Sequence, residues 1–123
     1  MGKIIVIYHS QQYGNTKMLA EALAEGAREA GAEVNLINTN ERRVTLEEFL
    51  SVDGVAIGTP DYFSYVAGTV KTFFDDMYLW DQSGKPVKGK PAALFLWWWR
   101  ESEAAFRIPC SALFPAGGGD GRK

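Results

Sequence analysis

Residues 3–16 read KIIVIYHSQQYGNT. The first part, residues 4–8, is an unbroken apolar run rich in β-branched side chains, which is typical of a strand covered by helices on both faces. A polar stretch follows from His9 to Asn15, and a helical pattern begins at Thr16. This segment therefore predicts a buried strand, β1, joined by a polar loop directly to a helix.

The next two elements follow at once along the chain. From residue 16 to residue 30 apolar side chains recur at helical spacing, and Gly31 then supplies a stop signal. The predicted buried face of this helix consists of Leu19, Leu23, Ala27 and Ala30. Residues 33–38 begin with alternating polar and apolar side chains, which predicts a second strand, β2, at a less covered edge of the sheet.

A short helix and a third strand are predicted in the middle of the chain. Thr45 is followed three residues later by Glu48, which is an N-terminal capping pattern for a helix over residues 45–50. The apolar run 52–58 predicts β3. We expect this strand to end before Pro60, because proline cannot continue the hydrogen-bond ladder of a central strand.

The last predicted elements are a helix over residues 68–80 and a strand, β4, over residues 92–96, separated by a turn-rich connector. The predicted buried face of the helix consists of Val70, Phe73, Phe74, Met77 and Tyr78. Strands that alternate with helices through short connections predict a parallel α/β sheet with right-handed crossovers.

Composition restricts the functions that fit this chain. With 46% hydrophobic and 23% charged residues, the 123 residues suit one globular domain and are too few for two. A net charge of -2, with both signs scattered, offers no basic face for nucleic acid. The first strand is too short for a signal sequence or a membrane span, so we expect a cytoplasmic protein without membrane contact. Cys110 is the single cysteine, and we expect an inert thiol.

The polar loop after β1 is the first candidate site. In a doubly wound sheet, ligands bind beyond the carboxyl ends of the strands where the winding reverses, and the loops after β1 and β3 flank that crevice. Backbone amides at the helix start, the helix dipole and the hydroxyls of Ser10 and Thr16 together suit a phosphate dianion without a lysine. The alternative is a polar turn that only caps the helix.

Other phosphate-related motifs do not match. The dinucleotide fingerprint GxGxxG is absent, and the triphosphatase motif GxxxxGK[ST] fails because Asn15 follows Gly14. A receiver domain of the same winding would need an acidic pair after β1 and an aspartate after β3. The chain has Tyr8-His9-Ser10 and Gly58-Thr59 at those places.

Three motifs in order, YHSQQYGNT at 8–16, GTPDYF at 58–63 and GTVKTFFD at 68–75, resemble the flavodoxin superfamily. The similarity is greatest to the branch with WrbA-type NAD(P)H:quinone oxidoreductases and small archaeal-style flavodoxins. The resemblance covers residues 3 to about 96, within one predicted FMN-binding domain of residues 1–96, and implies a flavodoxin-like doubly wound parallel sheet. Its implied strand order is 2-1-3-4, with the fifth strand missing or supplied otherwise.

The resemblance implies FMN as cofactor and two groups of contact residues. The group around the phosphate consists of Ser10, Gln11, Gln12, Tyr13, Gly14, Asn15 and Thr16. The group along the isoalloxazine consists of Thr59, Pro60, Asp61, Tyr62, Phe63, Ser64 and Tyr65. Large aromatic surfaces on this second loop agree with a ring-binding role, although they would equally serve to cover the sheet end.

Neither His9 nor Asp61 is expected to catalyse a reaction. His9 neighbours the phosphate loop, but a residue just after β1 usually packs or hydrogen-bonds locally, and the redox chemistry belongs to the flavin. Asp61 is either an electrostatic influence on the ring or a solvated turn carboxylate. We therefore assign no catalytic or metal-binding residue.

The tail, residues 97–123, departs from the family pattern of a glycine-rich loop followed by helix, strand and helix. Residues 97–99 are three tryptophans, and their codons UGGUGGUGG encode three glycines when read one base later. Our hypothesis is a frameshift near Trp97. The alternatives are a tail selected for its own packing and an indole platform for the flavin. Either way, an uncovered β4 predicts self-association, including exchange of the tail.

Two functions remain open at this point. The first is an FMN-binding redox protein that passes electrons between a nicotinamide or protein donor and a quinone-like or protein acceptor. The second is a catalytically silent homo-oligomer whose incomplete pocket binds flavin too weakly to matter. Fold alone does not choose between them.

Overall fold

The computed structural model describes residues 2–11, 14–62 and 65–97. The elements, in chain order, are β1 (Lys3–Tyr8), α1 (Asn15–Glu29), β2 (Glu33–Asn38), α2 (Leu46–Leu50), β3 (Gly54–Pro60), α3 (Gly68–Gln82) and β4 (Ala92–Trp97). The expectations for Cys110 and for the tail after Trp97 fall outside the described residues. None of the helices in these ranges has the length and apolar character that crossing a membrane requires.

The four strands form one parallel sheet in the order β2-β1-β3-β4. This confirms the doubly wound architecture and the predicted order. The winding reverses at β1, because β2 lies on one side of this strand and β3 on the other. The carboxyl ends of β1 and β3 are joined by a hydrogen bond from the His9 amide to the Gly58 carbonyl, 3.1 Å long. No fifth strand occurs within the described residues, where β2 and β4 are the edges.

Side chains of β1 alternate between two cores, one on each face of the sheet. Ile5 and Ile7 pack with α2 and α3, whereas Val6 and Tyr8 pack toward α1. All four are buried, as the continuous apolar run predicts. The larger core contains a cluster of aromatic rings in which Phe49 lies 5.9 Å from both Phe73 and Trp80.

The buried faces of α1 and α3 differ from the predictions. In α1 the buried residues are Thr16, Ala20 and Ala24, while Leu19 and Ala30 are exposed. Small side chains on the buried line let the helix backbone lie close to the sheet, and the larger Leu23 covers only the flank of this contact. In α3 the residues Val70, Phe73 and Met77 are buried and Phe74 is partly buried, but Tyr78 is 63% exposed.

The boundaries of β3 were predicted two residues too early. The strand begins at Gly54 and includes Thr59 and Pro60, which is opposite Trp97 of β4. Proline is tolerated here because it is the last residue of the strand, where the missing N–H breaks no interior ladder bond. Thr59 and Pro60 therefore continue the sheet, and the loop begins at Asp61.

The N-terminus of α2 confirms the predicted capping pattern. The Thr45 hydroxyl accepts a hydrogen bond from the Glu48 amide, and the Glu48 carboxylate accepts one from the Thr45 amide. Arg42 adds a bidentate ion pair to the same carboxylate, with a shortest distance of 2.6 Å. The hydrogen bond from Arg42 is the main reason that the pKa of Glu48 falls to about 2.

We predict that Glu48→Gln lowers the free energy of unfolding by about 1 kcal/mol at pH 7, because the amide keeps the cap but loses the ion pair. The folded pKa of Glu48 lies below its unfolded value, so this stability is fully present above the unfolded pKa and lost as pH falls through the folded one. Urea unfolding of both proteins should give a difference that shrinks from pH 4.5 toward pH 2. A difference independent of pH would contradict the ion-pair explanation.

Candidate functional site

The loops after β1 and β3 meet at the carboxyl end of the sheet, as predicted. The Gln11 side-chain amide donates to the Tyr62 hydroxyl over 3.1 Å, and the His9 ring contacts the Tyr62 ring edge-on with centroids 5.8 Å apart. These two contacts join residues about fifty positions apart in the chain. The two groups of predicted site residues therefore form one continuous surface.

The start of α1 has the features of an anion site. Gly14 is the N-cap, with a left-handed φ of 69°, and its carbonyl accepts the first helical bond, from the Met18 amide. Among the described residues nothing accepts a hydrogen bond from the amides of residues 15, 16 and 17. The first turn contains no acidic residue, and Thr16 is only 2% exposed. Available amides and the positive end of the helix dipole favour a negatively charged ligand.

Gly14 is required by the backbone at this turn. A Cβ atom at this position would meet no atom within 4 Å, so only its positive φ restricts the residue type. We predict that Gly14→Ala lowers the free energy of unfolding by about 1–2 kcal/mol, the cost of left-handed backbone for residues with a Cβ. Gly14→Asn should cost less, because asparagine tolerates this conformation. Equal losses in urea unfolding would show that backbone conformation is not the reason.

Asn38 holds the loop after β1 in place. Its side-chain oxygen accepts from the Ser10 amide and its nitrogen donates to the Ser10 carbonyl, both over 3.1 Å. The Ser10 backbone is thus fully occupied, and only its hydroxyl remains for a ligand. Sequence reasoning missed Asn38. The only sequence feature that pointed to Asn38 was its position at the end of β2, where polar residues are common.

The loop after β3 presents two tyrosines at the same surface. Tyr62 and Tyr65 exchange backbone hydrogen bonds of 3.0 and 3.1 Å, so these two residues are paired with each other. Their side chains are 40% and 48% exposed, far more than ordinary core aromatics. Thr59 fixes the base of the loop, since its hydroxyl donates to the Pro60 carbonyl and accepts from the Ala67 amide.

Ten of the fourteen predicted site residues lie within the described residues, in the two loops or at the strand and helix ends that join them. Those within the described residues are Ser10, Gln11, Gly14, Asn15, Thr16, Thr59, Pro60, Asp61, Tyr62 and Tyr65. The predictions for Gln12, Tyr13, Phe63 and Ser64 fall outside the described residues. Whether each residue contacts a cofactor stays a prediction, and Thr59 already uses its hydroxyl within the protein.

His9 is buried between the two loops, with 4% of its surface exposed. Its Nδ1 lies 2.5 Å from the Thr69 hydroxyl, which in turn lies 2.7 Å from the Thr39 hydroxyl. Burial lowers the pKa of His9 below its ordinary value. The local hydrogen bond agrees with the interpretation of His9 as a packed residue, but sequence reasoning missed its partners Thr39 and Thr69.

A small cleft of about 60 Å³ lies on the other side of these threonines. Its lining residues are Thr39, Arg43, Val44, Thr69, Thr72, Phe73 and Asp76, and an ion pair joins Arg43 to Asp76 over 2.6 Å. This volume suits a few water molecules and is too small for a flavin ring system.

The chain is similar in sequence to flavodoxins and to related quinone-reducing enzymes. A family model described as flavodoxin matches residues 6–107. A flavodoxin from Aquifex aeolicus (strain VF5) is 43% identical over 98 residues, a match that covers 77% of this chain and 49% of that protein. An NAD(P)H dehydrogenase (quinone) from Caulobacter vibrioides (strain NA1000 / CB15N) is 30% identical over 114 residues and covers 77% of this chain and 56% of that protein.

Solved structures give the same result for the fold. The structure of a flavodoxin from the domain Archaea superposes with a TM-score of 0.67 at 26% identity, covering 84% of this chain and 67% of that one. The chain spans about half the length of the curated relatives that it matches. Residues 6–107, which the family model matches, include both loops described above.

Proposed function

The chain belongs to the flavodoxin family, and from that premise we propose that it binds FMN noncovalently as a redox protein. Flavodoxins and WrbA-like quinone oxidoreductases bind FMN. The observation that carries the proposal for this chain is the start of α1. There, the amides of residues 15–17 have no acceptor among the described residues, beside a glycine N-cap and without an acidic neighbour.

The donor set at this turn fits the phosphate of FMN. A phosphate dianion offers acceptor oxygens only, and the turn offers backbone amides together with the hydroxyls of Ser10 and Thr16. Because these groups are already ordered by Asn38 and by the helix, little conformational entropy would be lost on binding. We assign the phosphate to Ser10 and to residues 11–16.

The second loop suits the isoalloxazine. Tyr62 and Tyr65 expose aromatic surface beside the phosphate turn, and large flat apolar groups bind well against such surfaces. We assign the ring to residues 59–65. The backbone hydrogen bonds between Tyr62 and Tyr65 support this assignment, because they hold the two tyrosines beside each other.

When bound, FMN would supply the redox chemistry, and the protein would supply position and electrostatic environment. We propose NAD(P)H or a protein as the electron donor and a quinone-like molecule or a protein as the acceptor, in a cytoplasmic setting. The curated relatives include both a flavodoxin and an NAD(P)H dehydrogenase (quinone), which supports either class of partner.

Titration of the full chain with FMN and with riboflavin tests the cofactor proposal. Flavin fluorescence should show tighter binding of FMN, since only FMN has the phosphate. Binding of neither ligand would overturn the proposal. An assay of NAD(P)H-dependent quinone reduction then separates an enzyme from an electron carrier.

The edge strand β4 supports self-association. No described residue pairs with its outer edge, and parallel apolar strands with open edges pair readily with other chains. We propose a homo-oligomer formed through β4 and the tail. Light scattering during size-exclusion chromatography should give more than one chain per particle, and a monomer would contradict this. An oligomer that binds no flavin would instead support the silent alternative.

The frameshift hypothesis for the tail is tested on the gene. Reading one base later from the codons of residues 97–99 should give a glycine-rich loop followed by a helix, a strand and a helix. Early stop codons in that frame would contradict it.

A further inference from the structure

His9 has a buried nitrogen that no protein group satisfies. The residue is 4% exposed, and its Nε2 has no hydrogen-bond partner among the described residues. Buried polar atoms in folded proteins nearly always have a partner, so an orphaned nitrogen beside a binding site points to a ligand. The ring lies between the two loops of the site, because it follows β1 directly and contacts the Tyr62 ring.

The donors and acceptors around His9 determine which ring nitrogen carries the proton. The Thr39 hydroxyl lies 3.2 Å from the Tyr8 carbonyl, which only accepts, so the single proton of Thr39 is used there. The contact between the two threonines must then use the proton of Thr69. The Thr69 oxygen is left to accept from His9, and Nδ1 carries the proton. In the neutral ring Nε2 is therefore a lone-pair acceptor.

The charge state of the site agrees with a neutral ring. Burial lowers the pKa of His9, which favours the neutral ring. Thr69, whose hydroxyl lies 2.5 Å from Nδ1, belongs to the first turn of α3, so the positive end of that helix dipole also favours the neutral ring. A bare lone pair cannot bind a phosphate oxygen, which is itself an acceptor. The matching partner is an O–H donor.

FMN carries such donors in the chain that connects its two ends. The ribityl group joins the phosphate to the ring and bears hydroxyls. His9 directly precedes the loop that we assign to the phosphate and contacts Tyr62 of the loop that we assign to the ring. We propose that Nε2 of His9 accepts a hydrogen bond from a ribityl hydroxyl, with Thr69 and Thr39 holding the tautomer. This inference rests on the proposed FMN function and adds a residue to its site.

The affinities of three flavins distinguish the His9 contact from contacts with the phosphate and with the ring system. FMN has phosphate, ribityl and ring, riboflavin lacks the phosphate, and lumiflavin lacks both phosphate and ribityl. In the full chain, His9→Phe should weaken FMN and riboflavin by the same factor, about tenfold for one buried hydrogen bond, and leave lumiflavin within about twofold. His9→Gln, which keeps an acceptor of similar reach, should recover part of the loss.

Thr69 provides a second test that leaves the ring in place. Thr69→Val removes the group that fixes the tautomer and should weaken FMN and riboflavin by a smaller shared factor, whereas Thr69→Ser should behave as the parent chain. Circular dichroism and thermal unfolding should show that each variant is folded. If His9→Phe does not fold, the comparison of Thr69→Val with Thr69→Ser alone tests the inference.

Three other patterns of flavin affinity would overturn the inference. Equal losses for all three flavins would make His9 a structural residue, and a loss confined to FMN would make it a phosphate ligand. Unchanged affinities in both His9 variants would show that Nε2 binds nothing. A parent chain that binds neither FMN nor riboflavin contradicts the proposed function itself, a result distinct from all of these.

Discussion

Thr16→Val is expected to weaken FMN binding by about tenfold to a hundredfold, the usual worth of a buried hydrogen bond to a charged group. Riboflavin affinity should stay within about twofold, because riboflavin lacks the phosphate that we propose the hydroxyl contacts. Thr16 is 2% exposed at the start of α1 and shares a buried line with Ala20 and Ala24. Valine keeps the volume and burial of threonine, so the change removes only the hydroxyl.

Fluorescence titrations of the two flavins give the ratio that tests this prediction. Thr16→Ser is the matched control, since it keeps the hydroxyl and loses only a methyl group, and it should retain the preference for FMN. Asn15→Ala should lower FMN affinity in the same selective way. Equal losses for FMN and riboflavin in Thr16→Val would place the phosphate elsewhere.

The sheet and both loops were predictable because their signals are local. A continuous β-branched run such as residues 4–8 is stable only under two layers of helices, and a glycine directly before a helix marks a turn with unusual backbone. Periodicity alone misplaced the buried face of α1, because the decisive property was the small size of Ala20 and Ala24 and not their hydrophobicity. It also failed at Tyr78, whose side chain is exposed although its spacing fits the apolar face.

The parts of the site that sequence reasoning missed are long-range. Asn38 contacts Ser10 across 28 residues, and Thr69 contacts His9 across 60. Such pairs leave no periodic pattern, since a threonine or asparagine at the end of a strand or the start of a helix is ordinary on local grounds alone. Tertiary structure brings them together, and only then does the orphaned nitrogen of His9 become visible.

Gly58→Ala is expected to be the most destabilising single change in the sheet, with a loss of about 3 kcal/mol, at the upper end of usual overpacking costs. Gly58 lies in β3 and is paired with Tyr8 of β1 and Phe95 of β4. A Cβ at this position would overlap the ring of Phe95. The ring is partly buried against the core between the sheet and α1, so a rotation that relieves the overlap would expose part of that core.

Two further variants identify the cause of this loss. Phe95→Leu shortens the side chain that the new methyl group would strike, so the double variant should be more stable than Gly58→Ala alone, a coupling of about 1–2 kcal/mol. Gly26→Ala is the matched control, because a Cβ there meets nothing within 4 Å. It should stabilise the chain by about 0.5–1 kcal/mol, since alanine is the better residue in a helix interior.

Urea unfolding of the parent chain, Gly58→Ala, Phe95→Leu, their double variant and Gly26→Ala measures these differences, and additive effects of Gly58→Ala and Phe95→Leu would exclude a direct clash. The result also concerns the site, because Gly58 accepts the hydrogen bond from the His9 amide and is followed by the Thr59 hydroxyl that anchors the loop. A shift of β3 or β4 that relieves the clash would move both loops relative to each other. Gly58→Ala should therefore weaken FMN, riboflavin and lumiflavin alike, in contrast to the phosphate-selective effect of Thr16→Val.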